Sequence, residues 1–147
     1  LFNSGDNMLG GITLKIAAYK THLTFSQAFY LGIMCNWLVC IAVWMSYGAK
    51  DIIGKCFAIF FPISLFITSG FEHSIANMYY IPAGILAKSN ASWVEASGLT
   101  AEKLAHTNWS TFITKNLVPV TIDNIVGGVI LVAGVYWFTY YKNSENA

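Results

Sequence analysis

From Thr21 to Ala49 the chain carries no Lys, Asp or Glu. Its apolar part, Phe25 to Tyr47, exceeds the roughly 20 residues that a helix needs to cross the hydrocarbon core of a bilayer. One transmembrane helix is therefore expected within residues 25–49. A second apolar stretch runs from Asn116 to Tyr141 and is broken only by Asp123. It predicts a transmembrane helix over 116–141. Pro119 suits its first turn, where a missing N–H costs nothing. Tyr136, Trp137, Tyr140 and Tyr141, followed by Lys142, form an aromatic belt of the kind found at a membrane–water interface. Gly127, Gly128 and Gly134 are small positions where a neighbouring helix can come close.

The segment between these two helices, residues 50–87, has a different pattern. Cys56 to Ala87 would make one helix roughly 48 Å long at 1.5 Å per residue, which is too long for a single span. Two full spans and a turn would need more residues than are present. Ser69-Gly70-Phe71-Glu72-His73 lies in the middle, with a helix breaker and two ionisable groups. The arrangement that fits is a broken transmembrane helix, with half-helices at about 56–68 and 74–87. Such a break is tolerated only where it is buried in protein or lines a polar cavity. The flanking pieces are polar: residues 1–24 are an extramembrane loop and helix lead-in, 88–115 an extramembrane loop, and 142–147 a tail.

Composition supports this division. Only 10% of the 147 residues are charged, 56% are hydrophobic, and the mean hydropathy is +0.55. A soluble domain has about 25% charged residues, so a water-covered surface is excluded. A net charge of +1 without arginine excludes a nucleic-acid binder. Cys35, Cys40 and Cys56 have no C-x-x-C spacing and are expected to be small buried hydrophobes, neither disulfides nor zinc ligands. No cofactor or metal site is expected. The fold class is all-α, an integral membrane helical bundle. Lys15, Lys20, Lys88, Lys103 and Lys115 fall on one side of this arrangement, and Lys50, Lys55 and Lys142 on the other. Counting alone places the first group in the cytoplasm.

An ionisable residue inside a membrane span is a functional candidate by default. Glu72 and His73 sit together at the break. The half-helix from Ser74 to Ala87 turns its N-terminus, with unpartnered N–H groups, toward that point. Carbonyls at the end of the preceding half-helix face the same place, so helix ends alone leave the sign of a ligand open. His73 shifts the balance toward an anion, because it can donate a hydrogen bond or carry a positive charge. Glu72 cannot sit bare in hydrocarbon and is expected to pair with backbone N–H groups of the break. Phe66, seven residues before His73, can form a narrow apolar constriction or pack against lipid. Asn36, in the first span, can face a pore or make an interhelical hydrogen bond. An intramembrane serine hydrolase using Ser69 or Ser74 with His73 is disfavoured, because no G-x-S-x-G motif is present; the chain is not expected to be an enzyme. A structural subunit without a pore leaves the polar, broken helix unexplained.

Three stretches, Met34-Cys35-Asn36-Trp37-Leu38-Val39-Cys40-Ile41-Ala42-Val43-Trp44-Met45, Ser69-Gly70-Phe71-Glu72-His73-Ser74-Ile75-Ala76-Asn77-Met78 and Pro119-Val120-Thr121-Ile122-Asp123-Asn124-Ile125-Val126-Gly127-Gly128, resemble the formate/nitrite transporter family, and within it the formate channels. The resemblance covers about Lys20 to Tyr141. It corresponds to the second half of a family member, helices four to six with a broken fifth, so that the first half of the same protein is missing. It implies an aquaporin-like inverted-repeat fold. It also implies a homopentamer with one pore per protomer in the bacterial inner membrane, and a cytoplasmic carboxyl end, opposite to the lysine count. The implied activity is pH-dependent transport of formate, a small monovalent anion, proton-coupled in one direction; nitrite or hydrosulfide is the alternative cargo. The implied central gate is His73 with Phe66. The implied polar network of the anion pathway is Lys20, Asn36, Glu72, Asn77 and Asn124. Asp123 departs from the family pattern, where a small residue is common, and is expected to pair with a lysine or to sit at an interface.

Overall fold

The computed structural model describes residue 5 and residues 7–141. The expected tail at 142–147, with Lys142, and the first polar residues of the 1–24 segment lie outside the described residues. Every described element is helical: α1 (Met8–Thr21), α2 (Phe25–Gly48), α3 (Ile52–Thr68), α4 (Ser74–Ala87), α5 (Ala91–Ser97), α6 (Ala101–His106) and a long α7 (Trp109–Tyr141). By length and apolar composition α2 and α7 can cross a membrane, and α3 is a shorter apolar helix. Three stretches of α7, Phe112–Leu117, Val126–Gly134 and Trp137–Tyr141, are wound as π-helix, a wider turn than the α-form.

Side-chain caps account for several boundaries. Asp51 accepts a bond from the Gly54 N–H at 2.8 Å, so α3 starts at Ile52, four residues before the expected half-helix. Residues 88–115, expected as a loop, hold α5, α6 and the first turns of α7. Asn90, Thr100 and Asn108 cap these three helices in turn, and Asn108 forms a reciprocal capping box with Thr111. In the same way residues 1–24 are largely the helix α1. Caps roughly every ten residues make short polar helices where hydropathy shows only an interruption.

The chain divides into two compact units, residues 1–28 with 74–119 and residues 29–73 with 120–147. In the first, α1 packs against α4 and α5. Leu14, Ala17, Ala18 and Thr21 form its buried stripe, spaced at three, four and seven residues as one helix face requires. The facing stripe on α4 includes Asn77, Ile81, Gly84 and Ala87. Gly84 lies against Ala17, so close that a side chain at 84 has no room.

The second unit is built the same way. Val120, Asp123, Asn124, Gly127, Gly128 and Val132 of α7 are buried. Gly127 rests on the backbone of Ile33, and a Cβ at Gly128 would lie 2.8 Å from the Asn36 amide nitrogen. Gly134, expected to admit a neighbour, meets only its own helix among the described residues. Trp44 stacks on Tyr136, with ring centroids 4.7 Å apart. In both units the buried positions are mainly small or polar, while Ile52, Ile53, Phe57, Phe60, Phe61 and Tyr47 face outward. Small residues inside and large apolar ones outside are what a membrane bundle needs. Lipid removes the hydrophobic drive between helices and leaves close packing and hydrogen bonds to hold them.

Of the two alternatives for Asp123, the lysine pair is not formed among the described residues, and the side chain sits where α7 packs on α2. It is fully buried, and neither carboxyl oxygen has a hydrogen-bond partner. Its Cβ fills the space above Gly32, where a Cβ would come within 2.7 Å of it. A buried polar group without a partner costs roughly 1–3 kcal/mol. Asp123→Ala keeps the Cβ contact and removes the unsatisfied oxygens. It is expected to raise the thermal unfolding temperature of the detergent-solubilised protein, by an amount corresponding to roughly 1–3 kcal/mol. A lower unfolding temperature in a thermal shift assay would mean that the carboxyl group has a stabilising partner after all.

Candidate functional site

The helix break starts with a stop that only a particular backbone can make. Gly70 has φ +67°, the left-handed region where glycine pays no steric penalty. Its N–H donates to the Ile67 carbonyl, and the Phe71 N–H donates to the Phe66 carbonyl, both at 3.1 Å. This pair of bonds is a Schellman stop, which satisfies two of the carbonyls left open at the end of α3. The chain then runs without helix through Phe71, Glu72 and His73, and helix resumes at Ser74.

Non-helical backbone between apolar helices needs partners, and neighbouring helices of the second unit supply them. The Glu72 N–H donates to the Leu31 carbonyl of α2 at 3.3 Å. The Asn124 amide nitrogen donates to the Glu72 carbonyl and to the Gly32 carbonyl, each at 2.9 Å. Asn36 donates to the Asn124 carbonyl at 2.6 Å. One asparagine of α7 thus ties the break to α2, and a second asparagine holds the backbone of the first. Asn36 therefore makes the interhelical bond that the sequence left as one of two alternatives. The Glu72 side chain is completely buried.

Phe66 and His73 are brought together by the same stop. Their rings lie 5.9 Å apart, centroid to centroid, with planes inclined at 32°. Both are half-buried. An imidazole that can donate a hydrogen bond is set beside a bulky apolar ring.

Lys20 and Asn77 belong to the other unit and form a separate polar group. Asn77 donates to the Asn116 side-chain oxygen at 2.8 Å, and Asn116 donates to the Lys20 carbonyl at 3.0 Å. The Lys20 ammonium lies 6.0 Å from the centre of the Tyr80 ring, at the outer limit of a cation–π contact. Asn77 and Asn116 are fully buried. Asn116 is the residue that sequence reasoning missed, having served only as a helix boundary. The available signal was a second asparagine, eight positions before Asn124 in the same apolar helix.

The profile of the formate/nitrite transporter family matches residues 1–138. The formate channel FocA of Escherichia coli K12 is 46% identical, over 99% of this chain and 52% of its own length. The probable formate transporter of Methanothermobacter thermautotrophicus is also 46% identical, over 91% of this chain and 43% of its own. The chain spans about half the length of the curated relatives it matches. Among solved structures, a pentameric formate channel with formate bound superposes with a TM-score of 0.84 at 42% identity, covering 95% of this chain and 56% of that one. An FNT family ion channel superposes with a TM-score of 0.65 at 31% identity, over 86% of this chain and 45% of that one. With its apolar helices, its small-residue packing and its stitched helix break, the chain is a membrane protein and belongs to the formate/nitrite transporter family.

Proposed function

We propose that this protein is a channel for formate in the bacterial inner membrane, assembled as a homopentamer with its carboxyl end in the cytoplasm. The observation that carries the reading is the apposition of Phe66 and His73 at a helix break. The similarity to proteins described as formate channels, one of them a pentamer with formate bound, supports the choice of cargo and assembly. Taking a carboxylate out of water costs several kcal/mol. An apolar ring alone would therefore block the anion. His73 offsets that cost by donating a hydrogen bond, or a proton, to the arriving carboxylate. Proton transfer yields a neutral acid that passes an apolar constriction easily, and it makes transport pH-dependent and proton-coupled in one direction. Lys20 attracts the anion. Asn36, Glu72, Asn77 and Asn124 form the polar framework of the pathway, acting mainly by holding backbone and one another.

Two substitutions test this reading in proteoliposomes of the full protein, with formate and nitrite compared in parallel. Phe66→Ala opens the constriction, so formate flux is expected to rise severalfold and larger carboxylates to begin passing. Unchanged flux for both would show that the ring faces elsewhere. His73→Phe removes the donor, and transport is expected to lose its pH dependence in a protein that still assembles. Wild-type flux with wild-type pH dependence would reduce His73 to packing. Nitrite carried much faster than formate by the unsubstituted protein would transfer the reading to the alternative cargo.

A further inference from the structure

Two histidines that the transport reading does not use lie against each other in the first unit. His22 follows the last residue of α1, and His106 ends α6. Their ring centroids are 4.4 Å apart, with planes inclined at 45°. The preceding residue of one and the following residue of the other are also paired, with the Thr21 and Thr107 hydroxyls 3.4 Å apart. The apposition is thus held at two adjacent positions. The backbone of His106 is held as well: its carbonyl accepts from the Thr111 hydroxyl at 2.5 Å and from the Asn108 amide at 3.3 Å.

The ring nitrogens are set up unequally. His22 Nδ1 lies 2.7 Å from the Ala18 carbonyl oxygen. A carbonyl only accepts, so Nδ1 carries the hydrogen and Nε2 of the neutral ring carries the lone pair. Imidazoles that ligate metals are typically fixed in this way, with the other ring nitrogen donating to a carbonyl or carboxylate. On His106, Nδ1 is buried and has no hydrogen-bond partner. Such an atom can accept a hydrogen bond from water or ligate an ion. His22 is exposed, so an ion can reach the pair from solvent.

We propose that His22 and His106 form a two-imidazole site for a divalent transition metal ion of the Cu²⁺ or Ni²⁺ class. A metal–nitrogen bond of about 2.0 Å puts the metal about 3.2 Å from each ring centroid, so rings 4.4 Å apart are within reach of one shared ion. The ligand type selects the class: imidazole nitrogen suits Cu²⁺ and Ni²⁺, and Cu²⁺ stands at the top of the affinity order for a given nitrogen site. No cluster of three or more His, Cys, Asp or Glu exists among the described residues, so water would take the other positions. A metal there ties the turn after α1 to the end of α6. Cysteine spacing had no bearing on such a site, because its ligands are 84 positions apart in sequence and both are histidines.

The test uses the full protein in detergent, without a polyhistidine tag, and Cu²⁺ or Ni²⁺ alone as the probe. Calorimetry is expected to show one ion per chain at micromolar affinity or better. Electron paramagnetic resonance of the Cu²⁺ form is expected to be axial, with coupling to two imidazole nitrogens. His22→Gln and His106→Gln should each weaken binding by roughly tenfold or more and leave coupling to one nitrogen. Gel filtration checks that both variants assemble. If one does not, the other variant and the unsubstituted spectrum decide. Binding unchanged in the assembled variants, or a Cu²⁺ spectrum without imidazole coupling, overturns the proposal.

Discussion

A single side-chain amide, that of Asn124, ties the helix break to the neighbouring helix. Helix α3 must stop inside an apolar environment, and each backbone group released by that stop would cost several kcal/mol if left bare. The Schellman turn at Gly70 satisfies the end of the helix. It cannot satisfy Glu72, which lies beyond its reach. Asn124 does so from another helix, donating to the Glu72 carbonyl while also holding the Gly32 carbonyl of α2. A hydrophobic residue at 124 could fill the same space but could not supply the donors.

The placement of His73 follows from that bond. With Glu72 fixed by its N–H to Leu31 and by its carbonyl to Asn124, the next residue has little freedom. The Phe66 ring is placed by the last turn of α3, through the carbonyl that accepts the Phe71 N–H. The two rings are therefore set by opposite ends of one short, pinned segment. Close helix contact makes this possible. Gly127 and Gly128 let α7 approach α2 until Asn36 can reach the Asn124 carbonyl. Small-residue packing and polar stitching are thus one device, because neither reaches its partner without the other.

Much of this was legible along the chain. Charge-free runs of sufficient length pointed to α2 and to the apolar body of α7, and the awkward length of residues 56–87 pointed to the break. It was the family resemblance that named Phe66 together with His73, and their seven-residue separation keeps both rings in one local segment. What escaped was long-range or local polar chemistry that hydropathy does not register. Asn116 bonds to Asn77 and to the Lys20 carbonyl, partners 39 and 96 positions away. The helices within 88–115 depend on caps at Asn90, Thr100 and Asn108, residues that read equally well as loop. For Asp123 the sequence left a lysine pair and an interface position open, and its neighbour is the open face of Gly32 on α2.

The most direct measurement of the central claim is backbone amide hydrogen exchange across residues 69–73 in the full protein, comparing the unsubstituted form with Asn124→Leu. If Asn124 pins the break, the substitution should speed exchange there by roughly tenfold or more, the loss of a buried hydrogen bond worth about 1.5 kcal/mol or more. Protection in α1 should stay unchanged. Exchange in 69–73 as slow as in the unsubstituted protein would show that the break holds its shape without Asn124 and would contradict the account.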